Sequence, residues 1–300
     1  MRVFVAGASG AIGRPLIAEL IRKGHSVTGM TQSEAGAGKL RAQGAEALIA
    51  NVLDAETVGA ALRKGEFEVV IDELTALLKD PAELAKALPG DRKLRLEGGG
   101  NLHRAALASG VRRYLQQSTG FFLRAGEGLA DESEGLAVDA SPGIATNSQV
   151  YTTLEERVLG AAGMEGVALR YGFFYGPGTW YHPDGGSAEE VRRGEMPLIG
   201  EGQGVWSWVH IEDAAAATVA AMTAEAGIYH VVDDDPSRMS VWLPAFAKFV
   251  GAPEPARVSE EAARKAAGED AVYYQTRLRG CSNAKAKRVL GFAPRRLEWL

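Results

Sequence analysis

Residues 3–16 read VFVAGASGAIGRPL, an apolar run, then three evenly spaced glycines, then an amphipathic run. Few folds accept that order. A buried strand must end in a turn so tight that Gly7 makes it. The backbone at Gly10 must lie open to a neighbour, and Gly13 must let a helix pack hard against the strand. The free N–H groups and positive end of that helix then face outward and suit a phosphate. The segment therefore predicts a dinucleotide site built from Gly7, Ser9, Gly10, Ala11, Ile12 and Gly13.

The rest of the chain repeats the unit. Strand-like runs fall at 2–6, 26–30, 45–50, 67–71, 112–118, 166–171 and 227–232, with helical segments between them. In 12–24, Ile12, Leu16, Leu20 and Ile21 share one helical face. Alternation with short connections predicts an α/β fold, a Rossmann-type doubly wound parallel sheet covered on both faces. From Phe174 the chain becomes rich in Gly and Pro, and after Asp233 it breaks into short helical pieces. The expected organisation is a nucleotide domain at 1–173 and 206–233, with a smaller discontinuous C-terminal substrate lobe at 174–205 and 234–300.

The second strand ends in Thr31, Gln32 and Ser33, where a carboxylate would bind the ribose of NAD. With no carboxylate there, a 2′-phosphate is not repelled, and Lys39 and Arg41 follow. NADP is expected over NAD. The net charge of −5 argues against nucleic acid. A single cysteine, Cys281, suits a reducing, cytoplasmic setting, and no run is long enough for a membrane span or leader. Scattered histidines give no metal-ligand spacing. A small-molecule substrate is the expected partner.

Taken together, these residues resemble the extended and atypical short-chain dehydrogenase/reductase superfamily, in its NAD-dependent epimerase/dehydratase branch. GASGAIG at 7–13, NVLD at 51–54, VIDELTAL at 70–77, GVRRYLQQST at 110–119, LRYGFFYGPGT at 169–179 and WVHIEDAAAA at 208–217 carry the likeness. The resemblance implies that Asn51 and Val52 flank adenine and that Leu74, Thr75 and Ala76 contact ribose and pyrophosphate. It places Gly172 and Phe173 at the nicotinamide. Two long helices, about 92–109 and 149–162, would pair two copies into a homodimer, although Gly98, Gly99 and Gly100 weaken the first as a helix.

In such relatives a tyrosine moves the proton of the reacting oxygen. A lysine four residues later lowers its pKa and binds the nicotinamide ribose, and a serine at the fifth strand end holds the substrate oxygen. Here Ser118 stands at the strand end and Tyr151 opens YTTLEERVL, but Glu155 takes the lysine place. A second register counts back from Arg170 to a glutamate at Glu156 and puts Ser148 and Thr152 on the tyrosine and lysine places. Tyr151 is then a helix neighbour. Both registers lack the tyrosine–lysine pair. Tyr151 with Ser118, Tyr175 or His210 are the candidates to replace it, and Tyr175 and His210 have packing or capping as their simpler roles. Thr119, Phe121 and Phe122 are expected to line the cleft, with Trp180, Tyr181 and Trp206 as an aromatic wall. The expected function is reduction of a carbonyl or related group by an NAD(P)-dependent oxidoreductase with an atypical active site. A cofactor-binding redox sensor without turnover and a redox-neutral epimerase or dehydratase are the alternatives.

Overall fold

The computed structural model describes residues 1–78 and 80–300, with Ala82 described in its backbone alone. The first half alternates strand and helix: β1 (Arg2–Ala6), α1 (Gly13–Arg22), β2 (Ser26–Thr31), α2 (Glu34–Ala42), β3 (Glu46–Ile49), α3 (Ala55–Gly65) and β4 (Val69–Asp72). Helix α4 (Leu84–Lys93) runs through one π turn at Leu94–Gly98 into α5 (Gly99–Ala108), then β5 (Arg113–Thr119), α6 (Pro142–Leu159) and β6 (Glu165–Tyr171). After β7 (Phe173–Tyr175), α7 (Gly186–Arg192), β8 (Leu198–Ile199), β9 (Val205–Trp206), β10 (Trp208–His210) and α8 (Ile211–Ala221), strand β11 (Gly227–Val231) returns to the main sheet. The chain ends with β12 (Ser237–Arg238), α9 (Met239–Phe249), β13 (Arg257–Val258), α10 (Glu260–Thr276) and α11 (Ala284–Leu290).

The main sheet has strand order β11-β6-β5-β4-β1-β2-β3, with every pairing parallel. All seven of its strands fall on the runs expected from sequence. Helices cover both faces, so a central strand such as β5 is buried at each of its residues. One face packs Leu16, Ile17 and Leu20 of α1 with Ala214 and Ala217 of α8. The other packs Val58 and Leu62 of α3 with Leu102 and Ala106 of α5. A third core, rich in aromatics, holds Tyr181, Trp206, Trp208, Trp242 and Phe246. Strands β7 and β10 pair with each other, as do β9 with β12 and β8 with β13, in two-stranded sheets beside it.

The helix expected over 92–109 forms despite its glycine triplet, and a Cβ on Gly98 would lie 2.5 Å from Val52 Cγ1. One expectation changes here. Tyr151 does not begin a helix, because α6 starts at Pro142. Proline suits the first turn. The free amides of Gly143 and Ile144 donate to Asp270 Oδ1 at 3.1 and 3.4 Å. That cap comes from α10, over a hundred residues away in the chain, so no local signal announces it.

Candidate active site

The glycine loop sits at the carboxyl end of β1. Gly7 has φ +76°, and a Cβ on it would lie 2.3 Å from the Glu73 carbonyl oxygen at the end of β4. A Cβ on Gly13 would lie 2.4 Å from the carbonyls of Gly7 and Ala8. Gly10 is different, since a Cβ would meet only the Gly7 carbonyl, at 3.1 Å. The loop is thus tight against protein at both ends and open in its middle. The first turn of α1 carries no acidic residue, so its positive end is not neutralised locally. Ile12 is buried, Ala11 is half-buried and Ser9 is exposed. These residues fit the pyrophosphate of a dinucleotide.

At the end of β2, Thr31 is buried and its hydroxyl lies 3.1 Å from that of Ser9. Ser33 caps α2 by accepting from the Gly36 amide at 3.1 Å. Gln32 is exposed. Arg41 pairs with Glu34 at 2.6 Å, so one of the two cations that follow the turn is already matched. At the end of β3, Asn51 Oδ1 accepts from the Leu53 amide at 3.0 Å, and Val52 is buried.

Beyond β4, the Leu74 amide donates to Asp72 Oδ1 at 3.1 Å. The Thr75 hydroxyl and Ala76 amide both donate to Asp91 Oδ1, at 2.9 and 2.6 Å. The other oxygen of Asp91 accepts from Arg95 Nε at 2.7 Å, and Arg95 Nη1 donates to Gln117 Oε1 at 2.9 Å. Arg95 is 4 % exposed and Asp91 5 %. The sequence reading missed both. Their only local signal is a D-x-x-x-R spacing just before the glycine triplet, which usually marks an exposed helical pair.

Beneath this turn, Glu73 is buried and accepts from the Tyr171 hydroxyl at 2.9 Å, while its Oε2 has no partner among the described residues. Burial pushes its carboxyl up to about 8.

Ser118 stands at the end of β5 as expected, but its hydroxyl donates to Glu155 Oε1 at 2.6 Å. Glu155 also receives Arg170 in a bidentate pair, Nε to Oε1 at 2.7 Å and Nη2 to Oε2 at 2.8 Å. All three residues are buried. The carboxylate that meets Arg170 is therefore Glu155, and Glu156 is exposed. This corrects both sequence registers. Glu155 does not stand in for a lysine. Counting eight residues back from it puts Asn147 on the tyrosine place and Tyr151 on the lysine place. Ser148 is wholly buried, its hydroxyl has no hydrogen-bond partner among the described residues, and its carbonyl accepts from the Thr152 hydroxyl at 2.9 Å. Asn147 Oδ1 accepts from Arg92 Nε at 3.0 Å.

Tyr151 is half-buried, with the Arg95 guanidinium 5.2 Å from its ring centre and Phe122 6.4 Å away. None of the hydrogen bonds among the described residues engages its hydroxyl. Burial raises its pKa, and the positive charge of Arg95 opposes that rise.

The other two candidates have structural employment. Tyr175 is fully buried, its hydroxyl donates to the Arg296 carbonyl at 3.2 Å, and burial pushes its pKa up. His210 is buried, and its Nδ1 accepts from the Glu212 amide at 3.2 Å, capping α8. Its Nε2 faces Arg295 Nη1 at 3.4 Å, and burial with that charge lowers its pKa. A phenol tied to a carbonyl and an imidazole used as a cap are poorly placed to move a substrate proton.

Gly172 is buried against the Ser207 carbonyl. Phe173 lies between Phe121, stacked at 4.2 Å, and Trp206, stacked at 3.9 Å. Tyr274 joins them from α10 at 6.4 Å from Phe173. Tyr181 meets the same cluster at 6.4 Å from Phe173 and 6.2 Å from Trp206. Tyr181 is buried against Trp208 at 4.9 Å, and Trp180 reaches the Leu78 carbonyl at 3.1 Å. Thr119 and Phe122 are buried behind Phe121. Among the described residues no helix is long and apolar enough to cross a membrane, and no cluster suits a metal ion.

Comparison with known proteins adds four findings. The profile of the NAD dependent epimerase/dehydratase family matches residues 3–232. A 3-diazoavenalumate denitrifying reductase from a Streptomyces species is 38% identical over 302 residues, covering 100% of this chain and 98% of that one. A 4-hydroxy-2-methyl-3-oxo-4-farnesyl-3,4-dihydroquinoline-1-oxide ketoreductase from Stigmatella aurantiaca is 27% identical, covering 98% and 92%. Among solved structures, the Thermus thermophilus UDP-glucose 4-epimerase complex with NAD superposes with a TM-score of 0.73 at 24% identity, covering 98% of this chain and 94% of that one.

Proposed function

Starting from the fact that this chain belongs to the NAD-dependent epimerase/dehydratase family and is an NAD(P)-dependent oxidoreductase, we propose that it reduces an aromatic diazo acid with loss of dinitrogen. The cofactor, when bound, supplies a hydride. The observation that carries the reading is the Glu155–Arg170 pair, which leaves Asn147 and Tyr151 where relatives keep tyrosine and lysine. Carbonyl reduction needs a hydride and a proton, and a positioned acid is worth about 10²–10⁴ in rate. Replacing dinitrogen on an aryl diazonium needs only the hydride. The C–N bond breaks with its electron pair leaving on dinitrogen, and the hydride pair forms the new C–H bond. A site without the proton-moving pair suits that balance. The likeness to a diazo reductase along the whole chain supports the same choice.

The chain's own part is to bind, orient and keep water out. The glycine loop takes the pyrophosphate, with Thr31, Gln32 and Ser33 at the adenosine ribose and Asn51 and Val52 at adenine. Leu74, Thr75 and Ala76 border the inner ribose. Gly172 and Phe173 border the nicotinamide. Phe121, half-buried at the end of the Phe121–Phe173–Trp206 stack, offers a π face on which an arene stacks. NADPH is preferred to NADH, because Thr31–Ser33 present no carboxylate to a 2′-phosphate.

Incubation of 3-diazoavenalumate with the protein and NADPH deuterated at the transferable position tests this. Release of dinitrogen and deuterium on the ring carbon are expected. Oxidation of NADPH by ketones without dinitrogen release from the diazo acid would overturn it. That outcome would favour a second reading, carbonyl reduction with Tyr151 as acid, which rests on its uncommitted hydroxyl and on the ketoreductase relative.

A further inference from the structure

We infer that Arg95, with Tyr151, replaces the missing lysine and holds the nicotinamide-side ribose of the cofactor. The inference rests on the nicotinamide reading above. Three observations converge on it. Tyr151 occupies the lysine place, one helical turn before Glu155. A phenol alone carries no charge, and the cation that accompanies it comes from the π turn between α4 and α5, with the guanidinium 5.2 Å from the ring centre.

Arg95 is also fixed where such a group must be. Its Nε is held by Asp91 at 2.7 Å and its Nη1 by Gln117 at 2.9 Å. Asp91 is the same carboxylate that fixes Thr75 and Ala76, so the turn bordering the ribose and the guanidinium share one anchor. Gln117 precedes Ser118 at the end of β5. Two nitrogens of Arg95 are thus committed, and Nη2 has no hydrogen-bond partner among the described residues. The Tyr151 hydroxyl is likewise uncommitted. An unspent donor on a buried guanidinium and a free phenol on a half-buried ring, side by side, suit a pair of sugar hydroxyls. Arg95 lies on a different helix from the lysine it replaces, so no Y-x-x-x-K search of the chain would find it.

The test is binding, read by reduced-nicotinamide fluorescence for NADPH and by calorimetry for adenosine 2′,5′-bisphosphate, which lacks the nicotinamide half. Wild type, Arg95→Gln, Arg95→Lys and Tyr151→Phe are compared. Arg95→Gln is expected to weaken NADPH by about ten-fold, the scale of one charged hydrogen bond, and to leave the bisphosphate unchanged. Arg95→Lys recovers part of the loss. Tyr151→Phe, which leaves Asp91 untouched, weakens NADPH alone by a smaller factor. The double variant Arg95→Gln/Tyr151→Phe loses less than the product of the singles, because the two groups act on one ribose. Equal weakening of both ligands in every variant would reduce Arg95 to a brace for the Thr75 turn and overturn the inference. Unchanged NADPH affinity in Tyr151→Phe and Arg95→Lys would overturn it as well, even where Arg95→Gln fails to fold. Wild type that binds no nicotinamide cofactor would sink the function itself, a separate and recognisable result.

Discussion

The glycine loop and helix α6 both present groups at the carboxyl ends of the sheet strands, but they are built from different material. At the loop the close contacts are between backbone atoms. Gly7 meets the Glu73 carbonyl, and Gly13 meets the carbonyls of Gly7 and Ala8. At α6 the contacts are between side chains from separated stretches. Ser118 and Arg170 converge on Glu155, Arg92 reaches Asn147, and Arg95 reaches Tyr151. Backbone crowding leaves almost no choice of residue. A side-chain cluster can be rebuilt with other residues from other elements, so its chemistry can change while the fold stays.

The sharpest way to break this comparison is at the loop. Gly13→Val is expected to cost about 3 kcal/mol or more and to abolish NADPH binding, since rigid carbonyls cannot retreat from the new side chain. Urea unfolding and a fluorescence titration would show both. Gly10→Ala should weaken NADPH and cost far less stability than Gly13→Val, because a Cβ there meets only the Gly7 carbonyl, at 3.1 Å. Equal stability losses in the two variants would refute the division of labour within the loop.

At α6 the largest effect should come from the buried ion pair. Arg170→Met leaves Glu155 charged and without its bidentate partner, and about 3–5 kcal/mol of stability should be lost in urea unfolding. A loss below about 1 kcal/mol would mean that the pair is no more than a surface-like contact.

Glu73 gives a pH signature. Burial raises its carboxyl from an ordinary 4.5 to about 8, so the folded protein keeps a proton that the unfolded chain loses. Stability therefore falls as pH rises through that window and levels off above it. Glu73→Gln should remove the fall and be more stable than wild type at pH ~8.5 by about 2–4 kcal/mol, with little difference at pH ~5. Parallel unfolding curves for the two proteins at every pH would contradict it.

The smallest effects concern the residues that structure removed from the chemistry. Tyr175→Phe loses one hydrogen bond to Arg296, and His210→Ala loses a helix cap, each about 1 kcal/mol. Turnover per folded molecule should stay within a factor of about two, well short of the 10²-fold loss expected for a proton donor. A larger rate loss in either would return that residue to the active site.

How much of this was legible depends on where each residue's partner sits. The seven strands of the main sheet could be located because a parallel sheet buried on both faces demands apolar runs, and RYLQQST in β5 was found by its place in the alternation as much as by its composition. Ser118 was found at its strand end, but that its proton goes to Glu155 was not. Counting back from Arg170 placed the family's glutamate at Glu156 in one of two registers left open, and a one-residue error turns a helix position by about 100°. Asp91 and Arg95 were missed, because their partners at Thr75, Ala76, Gln117 and Tyr151 are far away in the chain.

The amino-acid sequence by itself determined the glycine loop, the parallel sheet and the loss of the tyrosine–lysine pair. These follow from local sterics, from periodic burial and from the identity of residues at one spacing. Only the tertiary structure decided that Glu155 serves Arg170, that Tyr175 bonds the Arg296 carbonyl and His210 the Glu212 amide, and that Arg95 stands beside Tyr151. Each of those depends on where side chains from distant segments meet, and a short-range pattern carries no record of that.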